Sequence, residues 1–122
     1  MKYLTLLLLL LLLLFPTQSC IHTDPWTTQD KILQAAYLTA HTLDYLQTRN
    51  ADWDRFYETN PILGRAPSTQ SVDIYFLSTA LLHPLITHLL PQSWRKYWLG
   101  STLLFETSVV CHNFHIGMGI NF

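Results

Sequence analysis

His41 and Asp44 stand three residues apart in "KILQAAYLTAHTLDYLQTRN", a spacing that puts an imidazole and a carboxylate on one face of a helix, within hydrogen-bonding reach. Glu58, in "FYETNPILGRAPS", has the chemistry of a general acid or base, yet no partner at a diagnostic spacing accompanies it. Five further groups, His83, His88, Glu106, His112 and His115, are ordinary metal-ligand types. Their spacing argues against a centre: His83 and His88 are five apart and diverge around a helix, and only His112 and His115, three apart, share a face. There is no HExxH, no paired CxxC and no glycine-rich phosphate loop, and Ser71, Ser78, Ser101 and Ser108 lie in no recognisable nucleophile elbow. No cofactor or metal is expected, and the chemistry these side chains offer is hydrogen bonding between helices. An enzyme is the less favoured reading. Its strongest form is a membrane-embedded hydrolase or ion- or metal-binding protein that uses Asp44, Glu58 and His112.

The surroundings of these groups are greasy. Charged residues make up 12% of the 122, about half the share usual in a soluble globular domain, and apolar residues reach 49% and gather in blocks. The net charge is −1 with no run of Lys or Arg, so nothing here attracts nucleic acid or offers a polybasic patch to lipid headgroups. Membrane lipid is the expected partner, along with other envelope proteins or a second copy of the chain. The opening "MKYLTLLLLLLLLLFPTQSC" has a basic start at Lys2, an apolar run from Leu6 to Phe15 and a polar-to-small exit, the layout of a bacterial secretory signal. The run falls short of the roughly 20 residues of a spanning helix. Residues 1–19 therefore read as a signal peptide, and Cys20, preceded by Ser19, as a lipidation site. The other cysteine, Cys111, lies in an apolar run and reads as a small buried hydrophobe.

Residues 20–30 read as a polar tether, with Pro25 as a breaker and Thr27 or Thr28 as a helix N-cap. Residues 31–122 then form one small membrane-associated domain. Its first helix is amphipathic, with Ile32, Leu33, Ala36, Ala40, Leu43 and Leu46 at helical spacing. A polar stripe, Asp30, Gln34, Tyr37, His41, Asp44 and Thr48, reads as a solvated face. In the loop, Pro61 excludes helix at Asn60, Gly64 permits a positive φ, and Ser68 caps the next helix. Glu58, Thr59 and Asn60 can satisfy loose backbone donors. Ser71–Leu90 and Trp94–His115 come next as a hydrophobic helical hairpin, in which His83, His88 and Glu106 must face protein or water. "PQSWRKYW" reads as its interfacial turn, and the positive-inside rule places Arg95 and Lys96 in the cytoplasm. The tail from Asn113 alternates like a strand, but an extended segment packed on the helices is the simpler expectation. The fold class is all-α.

The segments "WTTQDK", "TLDYLQTR", "YETNPILGRAPS", "VDIYF", "RKYWLG" and "CHNFHIG", with a signal ending in Cys, together resemble a group of short, functionally uncharacterised bacterial lipoproteins or membrane proteins. The resemblance covers most of the chain after Cys20. It marks Gln34, Asp44, Thr48, Glu58, Asn60, Pro61, His112 and Asn113 as a recurrent set and implies no activity. The reading is a small cell-envelope protein with a structural or interaction role, in which Asp44, Glu58, Asn60 and His112 form a polar cluster that fixes the fold.

Overall fold

In the computed structural model, residues 23–120 are described, and they form three helices: α1 (Thr28–Arg49), α2 (Thr69–Leu89) and α3 (Gln92–His115). The expected signal peptide (residues 1–19) and the expected lipidation site, Cys20, lie outside the described residues. There is no strand among the described residues, so the alternating tail is not one; α3 runs to His115 and a turn at Gly117 (φ 87°) leads to an extended end.

Each helix starts where its sequence supplies acceptors for loose N–H groups. Thr27 caps α1 and Asp30 reciprocates, in a full capping box. Ser68 caps α2 through the Ser71 amide. At the start of α3 the Asp24 carboxylate, far away in sequence, accepts from the Gln92 amide. Two residues, Leu90 and Pro91, join α2 to α3, so the α3 helix begins earlier than the expected aromatic turn. α2 continues through Pro84, which removes the amide that would have bonded the Ala80 carbonyl.

α1 is the central element. It packs most closely along α3 and less along α2, whereas α2 and α3 approach each other least. α2 and α3 are thus consecutive helices joined by a short turn, each packed mainly on α1 rather than on the other.

The polarity of this bundle is inverted. Among the described residues the buried side chains include Asp30, Gln34, His41, Gln47, Thr48, His83, Thr87, Arg95, Glu106 and Asn113, against an apolar set of only Tyr37, Ala40, Val72, Phe76, Leu99, Val110 and Met118. Large apolar side chains point outward along α2 and α3: Leu77 and Leu81 are each 65% exposed, Leu104 70% and Phe105 68%. The α1 polar stripe expected to face solvent is the stripe that faces the other helices, and Ile32 from its apolar stripe is exposed. Outward-facing hydroxyls are masked: Thr39, Thr42 and Ser108 each donate to the carbonyl four residues back. Cys111 is exposed rather than buried.

Candidate functional site

The α1 polar stripe advances by four and three residues alternately, so one line of side chains runs the length of the bundle between α2 and α3. It organises three polar clusters, one at each end and one in the middle.

At the N-terminal end of α1 the centre is Arg95, wholly buried in the first turn of α3. Its guanidinium donates to the carbonyls of Thr87 (2.9 Å), His88 (3.1 Å) and Leu90 (3.0 Å), and to those of Asp24 (2.8 Å) and Pro25 (3.1 Å). The Asp30 carboxylate stands 3.7 Å away. Arg95 therefore closes the loose carbonyl end of α2 and ties the segment before α1 to the α2–α3 turn. It is an internal fastener, where the sequence pattern reads as an interfacial cation beside Lys96. Trp26 donates to the His88 ring, which is exposed at the same end.

In the middle, His83 Nδ1 donates to Gln34 Oε1 (3.1 Å), and Thr87 Oγ1 lies 3.1 Å from the same oxygen. His83 Nε2 faces Thr102 Oγ1 at 2.8 Å. Tyr37 stacks on His83, with ring centroids 3.5 Å apart, and on His41 at 5.4 Å. His41 is held between α2 and α3: Nδ1 meets Glu106, while Nε2 lies 3.2 Å from the Phe76 carbonyl and 2.8 Å from Thr79 Oγ1.

A hydroxyl, an imidazole and a carboxylate in line have the outline of a nucleophilic triad, but the hydrogen bonds run the wrong way. The Phe76 carbonyl can only accept, so Nε2 carries a proton and cannot take one from Thr79. The Thr79 hydroxyl in turn donates to carbonyls of its own helix, Tyr75 or Phe76. The His41–Glu106 contact is an interhelical pair sharing a proton, which joins α1 to α3.

At the far end of α1, Asn113 donates to Asp44 (2.9 Å) and Gln47 (3.1 Å), and Thr48 donates to Asp44 (3.3 Å). Gln47, fully buried, reaches back to the Val110 carbonyl. Beneath them sits the loop. The Glu58 carboxylate accepts from the Asn60 amide (2.8 Å), Asn60 Oδ1 accepts from the Ile62 amide (3.0 Å), and Glu58 N–H to Arg65 closes the base at 2.9 Å. The Asn60 side chain also reaches Tyr75 on α2, and the carboxylates of Glu58 and Glu106 act electrostatically on Asp44. Gly64 takes the positive φ (77°) that its turn requires.

Of the residues expected to cluster, Gln34, Asp44, Thr48 and Asn113 lie on the polar line, and Glu58 and Asn60 hold the loop against it. His112 does not join them; it is exposed on α3, about 100° around the helix from buried Asn113. Sequence reasoning undervalues Gln47, Thr87, Arg95 and the pairing of His41 with Glu106. No group of three His, Cys, Asp or Glu among the described residues is placed to hold a metal ion. No family model, curated protein or solved structure matches the chain.

Proposed function

We propose that this chain is an integral membrane protein of the bacterial cell envelope, with an interaction role in which its helices present an apolar surface to lipid and to partner helices. The inverted polarity carries this reading. In water, an exterior of Leu, Ile and Phe around a polar interior forfeits the burial that stabilises a domain. In a bilayer the same arrangement is the favourable one: lipid takes the apolar side chains, and polar groups find partners inside. One described helix, Thr69–Leu89, is both long and apolar enough to cross a membrane. α1 and α3 are of similar length, at about 1.5 Å per residue against roughly 30 Å of hydrocarbon, and turn polar residues toward the interior of the bundle.

The polar line serves as a scaffold, since its acid and imidazole groups and the Gln34 amide oxygen are engaged by neighbours across the bundle, while the Gln34 amide nitrogen is buried without a hydrogen-bond partner. The hydrolase or ion-binding alternative would need Asp44, Glu58 and His112 to converge; Asp44 is held by Asn113 and Thr48, Glu58 by its own loop, and His112 faces outward.

Alkaline carbonate washing of membranes that contain the full chain, alongside a Cys20→Ala variant, tests the reading. Both proteins should stay in the pellet, because the bundle itself is embedded. Release of Cys20→Ala into the supernatant would mean a lipid-tethered domain and would overturn it. Intact mass of the extracted protein tests the acylation of Cys20 separately.

A further inference from the structure

The structure places every element end at one of two opposite faces. Asp24 and Pro25 are bonded to Arg95 and Asp24 to the Gln92 amide, so residues 23–27 share a face with the α2–α3 turn. At the other face, Asn50, Arg55 and Phe56 line one cleft with Gly117, Met118 and Gly119, which puts the loop beside the C-terminal residues.

The cations do not distinguish the two faces. The loop face carries Arg55 and Arg65, lying over the rings of Phe56 and Tyr57 at 5.2 Å each, with Arg49 paired to Asp73; the turn face carries Lys31 and Lys96, with Arg95 bonded to carbonyls. The orientation comes from the start of the chain: the basic start at Lys2 and the apolar run after it argue for export of the segment immediately beyond Cys20. That segment leads into residues 23–27, so it sets the side of their face and, through the bonds to Arg95 and Gln92, of the α2–α3 turn.

We propose that the chain crosses the membrane three times after Cys20, with residues 23–27 and the α2–α3 turn on the extracytoplasmic side, and with residues 50–68 and the C-terminal residues in the cytoplasm. This rests on the membrane reading above. It makes the face built by Glu58, Asn60, Arg55 and Arg65 the cytoplasmic one, so a soluble partner of that loop is a cytoplasmic molecule. It reverses the orientation that the sequence pattern assigns to Arg95 and Lys96.

Single thiols test it in a full-length chain carrying Cys20→Ala and Cys111→Ser. Ser93→Cys, at the turn, should react with a membrane-impermeant maleimide on intact spheroplasts; Thr59→Cys, in the loop, should react only after permeabilisation. Labelling of Thr59→Cys in intact spheroplasts, or of both positions alike, overturns the orientation while retention after carbonate washing leaves the membrane reading standing. Loss of the protein from the washed pellet overturns both. A C-terminal fluorescent-protein fusion on the otherwise unaltered chain gives a second readout: it should fluoresce, and a dark, full-length fusion means an extracytoplasmic C-terminus.

Discussion

Replacing Arg95 with Met keeps much of the side-chain volume and removes all five hydrogen bonds that its guanidinium donates to carbonyls. A hydrogen bond to a charged group contributes about 1.5–3 kcal/mol, so simple addition would give roughly 8–15 kcal/mol. That sum is too large, because the bonds share one group and some freed carbonyls reach water at the end of the bundle. Breaking a buried ion pair by removing one partner costs about 3–5 kcal/mol, and Asp30 is left in that position. Taking the lower figure, and about 4–8 °C per kcal/mol for a domain this small, Arg95→Met should melt at least about 12 °C below the parent in detergent. Tryptophan fluorescence can follow the transition, since Trp26 lies 5.9 Å from the guanidinium and Trp98 donates to Thr87. Arg95→Lys retains the charge without the planar fork and should recover less than half of the loss. An Arg95→Met protein that melts within about 3 °C of the parent, less than 1 kcal/mol would produce, refutes the assignment of Arg95 as the fastener of this end.

Glu106→Leu should lower thermal stability by about 3 kcal/mol or more, because His41 Nδ1 is left buried without its partner, and His41→Leu with Glu106→Leu should regain much of it; a double-mutant cycle in detergent measures the coupling. Asp44→Ala orphans the Asn113 amide and should reduce both accumulation of folded protein and its protease resistance, whereas wild-type abundance would count against a structural role. His112→Ala, at an exposed position, should leave stability within about 0.5 kcal/mol. Gly64→Ala meets no atom within 4 Å, so its cost is the backbone alone, about 1 kcal/mol for a left-handed conformation, read as a small fall in melting temperature.

The helices are legible because their boundaries are written locally: Thr27 with Asp30, Ser68, and the Asn60–Pro61 and Gly64 turn all act within a few residues. The line of polar positions on α1 is equally visible, since periodicity reveals which residues share a face. Periodicity does not say what that face meets. Asp30, Gln34, His41 and Asp44 read as a solvated stripe under the rule for a helix in water, and the bundle turns that stripe toward the other helices instead. The partners are hidden for another reason: Glu106 lies 65 positions from His41, and Asn113 lies 69 from Asp44, so no spacing connects them. Arg95 misleads because flanking Trp and Tyr residues resemble an interfacial belt, while its real acceptors are backbone carbonyls, which leave no mark in a sequence.

In the membrane reading proposed above, the fastener at Arg95 also sets an order of events during synthesis. When α1 first leaves the translocation machinery, the groups that will satisfy Gln34, His41 and Asp44 have not yet been made, and Asp30 waits for a guanidinium 65 residues downstream. A helix bearing that many unmet polar groups is expensive to release alone into hydrocarbon. On that reading α1 is kept near the membrane surface or in a protected channel until α2 and the whole of α3, through Asn113, have been made, and insertion is completed by the last helix.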